Sequence, residues 1–298
     1  MQHLRDFDVA NIKAIATDLD GTALAKDHKL APETVNVFNL LVEKGYKVIL
    51  ATGRPYRDVI GIEENVKYSL PLVTSNGAML NNAEPAEDLV TYVPEDVARD
   101  VCFNIDPEGL IFNVYTKNHW YVNEPNEEVA RFFSDSHFEY NLLNLELLNF
   151  DEVVKLFFID PETKPVPTAR SERLNKLQEL IYEKYGDKVE CVFSQVNCLE
   201  INAAGVTKAN AISKYLEHFG YSNGENLIVF GDGMNDAHMM ETAKYGFVME
   251  NADPKLIAHV DDFSHVHLVG KNTDLMVARI CNQLFNLGAP LEPYFKED

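Results

Sequence analysis

Ile12-Lys13-Ala14-Ile15-Ala16-Thr17-Asp18-Leu19-Asp20-Gly21-Thr22 decides how the rest of the chain is read. An apolar run of strand length ends in two carboxylates at i and i+2, which point the same way on an extended backbone. At the C-terminal end of a strand they face the crevice in which open α/β sheets bind ligands. Gly21 lets the backbone turn sharply and approach a ligand closely. One carboxylate of such a pair can attack and hold a cation while the other moves protons, a spacing suited to covalent phosphoryl chemistry. An Asp-rich turn after an ordinary strand is the alternative, and the remaining sequence weighs against it.

Downstream of this run the pattern alternates. Pro32 opens a helix, its apolar positions Val35, Phe38, Leu41 and Val42 keep helical spacing, and Gly45 ends it. Residues 46–51 read as a second strand leading into Thr52-Gly53-Arg54, and residues 70–74 as a third leading into Ser75-Asn76-Gly77-Ala78. Strands alternating with helices imply parallel pairing with right-handed crossovers. The rhythm breaks near Asn81. Strand-like runs at 110–115, 120–122, 153–159 and 189–193 mix with helical ones at 95–105, 127–133 and 171–185, and prolines fall at 161, 165 and 167. After Asn202 the alternation returns, with helices expected at 208–219, 236–243 and 273–285 and strands at 226–230 and 246–249. The expected class is α/β, a Rossmann-like parallel-sheet core from residues 1–81 and 203–298 with an α+β domain inserted at 82–202.

Composition narrows the partners. With 47 acidic against 26 basic residues the formal charge is −21, and no basic stripe appears, which excludes a nucleic-acid partner. A small anionic substrate must therefore be met by local cations. Cys102, Cys191, Cys198 and Cys281 lack Cys-x-x-Cys spacing and read as reduced thiols. No stretch approaches the ~20 apolar residues of a membrane span, and the N-terminus lacks a signal-like run. A soluble, cytoplasmic protein, monomer or homodimer, is expected.

Four polar clusters fall at strand ends or a helix start in the alternating part: Asp18/Asp20, Thr52-Gly53-Arg54, Lys208, and Gly231-Asp232-Gly233-Met234-Asn235-Asp236. Strand C-termini of a parallel sheet share one edge, so clusters distant in sequence can converge. In this order the four match the motifs of the haloacid dehalogenase superfamily, and the chain resembles its Cof-type sugar-phosphate phosphatases, whose type-two cap lies between the second and third motifs. The Asn-Gly-Ala turn and Gly246-Phe247-Val248-Met249-Glu250-Asn251-Ala252 extend the likeness to nearly the whole chain.

The resemblance implies a HAD core carrying a cap domain at 82–202 and hydrolysis of small phosphate monoesters, sugar phosphates or phosphorylated cofactors. Asp18 would be the nucleophile that forms an aspartyl-phosphate, and Asp20 the general acid and base. Mg²⁺ would be held by Asp18, the Asp20 backbone carbonyl, Asp232 and waters, an all-oxygen set suited to a hard ion. Thr52, Gly53 and Asn235 would contact the phosphate. Lys208 would neutralise charge between Asp18 and phosphate, and Asn235 and Asp236 would fix the lysine and the metal-bound waters. Arg54 either touches substrate or orders its loop. Asn76 and Gly77 either line the phosphate pocket or make a turn before the cap, and the turn is the preferred reading. His238 is placed on a helix flank, and His265 and His267, at the spacing of one strand face, have no partner ligand nearby.

Charge supports the assembly. A carboxylate approaching a phosphate dianion meets ~1 kcal/mol of repulsion per unit-charge pair at 4 Å in water and about 4 at an effective dielectric near 20. A divalent cation and a lysine reverse that sign. The chain departs from its relatives at Ala23, Thr207, Ala209 and Glu250, none of which removes a catalytic group. A phosphomutase would need an arginine cluster in the insertion, where Arg99, Arg131, Arg170 and Arg173 show no pair at strand spacing. A ligand-binding protein without turnover is the remaining alternative. The run 112–121, polar and aromatic, either contacts substrate or forms a hairpin with ordinary cross-strand aromatics.

Overall fold

A computed structural model describes residues 3–107, 109–125, 139–163 and 170–295. The chain divides into two compact units, the first built from Met1–Thr52, Ile60–Asp88 and Thr207–Asp298, the second from Gly53–Val59 and Leu89–Val206.

In the first unit the strand Ala14–Asp18 is central. It pairs in parallel with Lys47–Ala51 on one side and Leu227–Gly231 on the other. Tyr245–Val248 and Val266–Leu268 extend the sheet beyond Leu227–Gly231, and Leu72–Thr74 extends it beyond Lys47–Ala51. Met79–Asn81 then adds an antiparallel strand. All five residues of Ala14–Asp18 are buried, which is why this strand reads as a continuous apolar run rather than an alternation. The register sets Asp18 opposite Ala51 and Thr17 opposite Phe230. Three strand ends therefore stop in one row, and the segments that follow them begin side by side.

The helix Pro32–Glu43 opens on its proline, and its buried stripe is Thr34, Val37, Phe38 and Leu41, with Val35 and Val42 only half-buried. Gly45, at φ +91°, makes the turn into the next strand. Leu216, Ile212, Met239, Met240 and Leu256 from the later helices pack with Ile49, Val229 and Val248 of the sheet. Among the elements of this unit that escape a pattern reading are Met79–Asn81, Val266–Leu268 and the helix Pro254–Val260, whose Asp253 side chain caps it by accepting from the Lys255 amide. Three-residue strands are too short to display a period.

The second unit carries a sheet in the order Val189–Gln195, Cys198–Ala203, Val153–Ile159, Ile111–Thr116, Trp120–Val122, Tyr140–Leu142. Its pairs are antiparallel except the last. Glu95–Asn104 and Glu172–Tyr185 cover one face, where Val97, Val101, Leu174 and Ile181 meet Leu156, Phe158, Leu199 and Ile201. Ser171 caps the second helix by accepting from the Leu174 amide at 3.2 Å. The other face holds Ile111, Tyr115, Trp120, Val122 and Phe157. The run 112–121 is a hairpin in which Tyr115 pairs with Trp120, and the Trp120 indole donates to Asn113 Oδ1 at 2.9 Å. The strand Cys198–Ala203 runs past Asn202, where the sequence reading ends the insertion. The helical run expected at 127–133 and the prolines at 165 and 167 lie outside the described residues. Among the described residues no helix is long and apolar enough to cross a membrane.

Candidate active site

The site grows from the row of strand ends in the first unit. Asp18 closes the central strand and is buried, and Asp232 follows directly on Gly231 at the end of the neighbouring strand. Lys208 opens the helix Lys208–Glu217, whose cap is Thr207 accepting from the Asn210 amide at 3.1 Å. Its side chain is fully buried, with Nζ 2.6 Å from Asp18 Oδ1 and 2.7 Å from Asp236 Oδ1. Residues 190 and 28 positions apart from it in the chain are thus joined by one ammonium group. A lysine is seldom buried unless paired, and here it is paired twice.

Asp236 is saturated. Its Oδ1 takes Lys208, and its Oδ2 accepts the backbone amides of Asp232 and Gly233, each at 3.0 Å. That arrangement makes Asp236 a brace for both the lysine and the loop that presents Asp232. Asp232 Oδ1 accepts from the Thr22 hydroxyl at 3.2 Å, tying this loop to the loop that carries Asp20. Asp18, Asp232 and Asp236 bring carboxylate oxygens within 4.8 Å of one another. Burial pushes the Asp18 carboxyl well up, with Asp236 and Asp232 adding to it and Lys208 opposing. Burial, then Asp236, pushes Asp232 up to about 7. Burial would lower Lys208, but Asp18 and Asp236 overcome it and hold the ammonium above its usual range.

The donor set fits a hard divalent cation. It offers oxygens only and carries more negative charge than one lysine balances. Backbone has been cleared around it. A Cβ on Gly21, at φ +74°, would lie 2.1 Å from Asp232 Oδ2, and one on Gly231 would lie 2.6 Å from the Asp236 carboxyl carbon. Only glycine fits at either position.

Asp20 differs from its neighbours. It sits in the turn after the central strand, its side chain is 42% exposed, and its Oδ1 lies 3.5 Å from His28 Nδ1. A half-exposed carboxyl beside a crevice can exchange protons with water and with a departing group. Thr52 is buried at the end of Lys47–Ala51, its amide donating to the Val73 carbonyl at 2.8 Å. Gly53 and Arg54 fall in the second unit, where Arg54 Nη1 lies 3.6 Å from Asp58 Oδ2.

Ser75–Gly77 forms a turn, the preferred reading of that segment, and Asn76 makes contacts beyond it. Asn76 Oδ1 accepts from Asn235 Nδ2 at 3.0 Å, and its amide donates to the Thr52 carbonyl at 3.0 Å. Gly77 packs so tightly that a Cβ would lie 2.2 Å from the Thr207 carbonyl. Sequence reasoning assigned no role to Thr22 or to Asn251, whose Nδ2 donates to the Gly21 carbonyl at 2.8 Å. The histidines are placed as follows. His238 Nδ1 is 3.0 Å from the Thr207 hydroxyl, His265 Nε2 is 2.9 Å from the Met240 carbonyl, and His267 packs edge-on against Phe7.

Residues 15–270 match the haloacid dehalogenase-like hydrolases. The chain belongs to that family. It is 32% identical over 242 residues to a Serratia proteamaculans protein named HMP-PP phosphatase, covering 81% of this chain and 85% of that one. A Thermotoga maritima crystal structure superposes with a TM-score of 0.74 at 28% identity, covering 91% of this chain and 97% of that one. A sugar phosphatase of haloacid dehalogenase subclass IIB shares the fold, with a TM-score of 0.73 at 20% identity and 92% and 99% coverage. The protein is an enzyme, a phosphatase of the haloacid dehalogenase family.

Proposed function

We propose that the enzyme hydrolyses small phosphate monoesters through an aspartyl-phosphate on Asp18, with Mg²⁺ as its metal. The observation that carries this reading is Lys208, buried between Asp18 and Asp236 beside Asp232. An Asp18 oxygen attacks phosphorus, the bond from phosphorus to the alcohol oxygen breaks, and Asp20 delivers a proton to that oxygen. Asp20 then takes a proton from water, the water oxygen attacks phosphorus, and Asp18 is released with inorganic phosphate. Lys208 offsets charge between nucleophile and phosphate. Asp18, the Asp20 carbonyl and Asp232 would hold Mg²⁺, which supplies charge neutralisation on the phosphate oxygens. Thr52, Gly53 and Asn235 bind phosphate in this reading, Asp236 braces Lys208, and Arg54 orders its loop through Asp58.

The second unit is the specificity cap of this proposal, and the relatives named as HMP-PP and sugar phosphatases point to a phosphorylated cofactor or sugar. Arg99 lies over Phe150, Arg170 over Phe193, and Arg173 pairs with Asp160. Those engagements favour a hydrolase over a mutase that needs a second phosphate seat, while Arg131 lies outside the described residues. Cys102, Cys191, Cys198 and Cys281 are free thiols, in keeping with a cytoplasmic enzyme.

Turnover of p-nitrophenyl phosphate should stop on chelation and return with Mg²⁺, and full activity in excess chelator would remove the metal from the scheme. Asp20→Asn should slow turnover ~10²–10⁴-fold, less for intermediate formation from p-nitrophenyl phosphate, whose leaving group needs little protonation. Acid quench of that variant followed by mass spectrometry should locate the phosphoryl group on Asp18. Label on Asp20, serine or histidine would overturn the mechanism.

A further inference from the structure

Asn76 stands at a junction of three chain segments. Its amide donates to the Thr52 carbonyl, its Oδ1 accepts from Asn235 Nδ2, and the next residue, Gly77, packs on the Thr207 carbonyl directly before Lys208. Ser75, Asn76 and Gly77 all have positive φ, at 49°, 57° and 103°. Such a run is costly for L-residues, and Asn is among the side chains that tolerate it best. Stored backbone strain of this kind is retained where a precise placement matters.

What that placement controls is the Asn235 amide. Nδ2 carries two hydrogens, and Asn76 engages it on one side. On the other flank, Asn235 Oδ1 lies over Gly233, so close that a Cβ there would stand 2.5 Å away. Asn76 thus restrains the Nδ2 end of the amide, the Oδ1 end fits only because residue 233 is glycine, and Asn235 is half-exposed. With one Nδ2 hydrogen bonded to Asn76, the direction of the second is set by that bond.

We propose that Asn76 is a positioning residue for phosphate: by accepting one hydrogen of Asn235 Nδ2 it fixes the amide so that the other hydrogen meets a phosphate oxygen. The proposal rests on the phosphatase reading and deepens it. Asn76 touches no reacting atom, and its effect passes through Asn235.

Asn76→Gly is the decisive variant, because glycine keeps the positive φ and removes the acceptor. The probes are inorganic phosphate titrated calorimetrically in the presence of Mg²⁺, and KM and kcat for p-nitrophenyl phosphate. Phosphate should bind about tenfold more weakly and KM should rise by a similar factor, the order expected for one hydrogen bond, with kcat within about twofold. In an Asn235→Ala background the same change should add nothing, because the residue it acts through is gone. Thermal denaturation of each variant separates loss of fold from loss of aim. Phosphate affinity unchanged in Asn76→Gly, or losses that add fully in the double variant, would overturn the proposal. A wild-type protein that binds phosphate but hydrolyses no ester would defeat the phosphatase reading, and the phosphate-binding cycle would still judge Asn76.

Discussion

Lys208 shows how one side chain is made obligatory by its surroundings. With Asp18 at 2.6 Å and Asp236 at 2.7 Å, and its own side chain fully buried, it is the cation that lets two buried carboxylates stand together. Lys208→Met should abolish turnover and destabilise the metal-free protein by about 3–5 kcal/mol, the usual cost of stripping one partner from a buried ion pair. Part of that loss should return with Mg²⁺, which binds only the folded site; a denaturation midpoint like wild type's would refute the assignment. Gly21→Ala tests the same site from the backbone. The new methyl would require φ +74° and would collide with Asp232 Oδ2, so Asp232 must shift. The Mg²⁺ concentration for half-maximal activity should rise about tenfold or more, although no ligand has been replaced, and an unchanged requirement would show that Asp232 is not a ligand. The convergence of Asp18, Lys208, Asp232 and Asp236 was legible in the sequence, because each lies just after a strand or at a helix start on one edge of a parallel sheet. The partnerships of Asn76 with Asn235, Thr22 with Asp232 and Asn251 with Gly21 were not, since the partners lie 159, 210 and 230 residues apart.

At the scale of elements, most strands of five or more residues were legible, but Cys198–Ala203, the three-residue strands Met79–Asn81, Tyr140–Leu142 and Val266–Leu268, and the helix Pro254–Val260 were not. Leu72–Thr74 and Trp120–Val122 are short strands that the sequence did reveal, the latter through its aromatic and β-branched residues. The buried stripe of Pro32–Glu43 also shifted, because Thr34 and Val37 are inside while Val35 turns toward the flank. No pattern revealed Asp160, which ends the strand Val153–Ile159 and gathers the segment after it. Burial would raise its carboxyl, but hydrogen bonds from Ser171 at 2.6 Å and Arg173 at 2.7 Å, joined by the Glu162 amide and Thr163, hold it down at about 2. Ser171 also caps the next helix, so this carboxylate ties strand, turn and helix together. Its folded pKa lies below the unfolded value near 3.9, so its stabilisation is complete above that value. It is lost as pH falls through about 2 and amounts to about 1–2 kcal/mol. Asp160→Asn should therefore lower stability at neutral pH and flatten its decline between about pH 4 and pH 2. Denaturant midpoints over that range would check it, and a variant that parallels wild type throughout would show that the depressed carboxylate carries no stability.

Among the described residues the two units bury separate hydrophobic clusters. Residues of Met1–Thr52, Ile60–Asp88 and Thr207–Asp298 bury Ile49, Leu80, Ile212, Leu227 and Met240 among themselves. Those of the second unit bury Val97, Phe112, Leu156, Leu174 and Ile201 in a separate cluster. The acidic and lysine groups proposed for chemistry, Asp18, Lys208, Asp232 and Asp236, all belong to the first. If the second unit is a specificity cap, chemistry and selection are separable in the chain as well as in concept. Replacing residues 89–206 by a short flexible linker should leave a protein that folds, because every strand from Ala14–Asp18 to Val266–Leu268 that pairs around the site is retained. It should still bind Mg²⁺ and hydrolyse p-nitrophenyl phosphate, an activated ester that needs little help from outside the nucleophile's immediate surroundings. Its rates across a panel of sugar phosphates and phosphorylated cofactors should converge, since the surface that tells one alcohol from another would be gone. The comparison to make is the ratio of kcat/KM values between panel members, which cancels any general loss of activity. An excised core that kept the parent's ranking would place specificity in the first unit and leave the second needing another role.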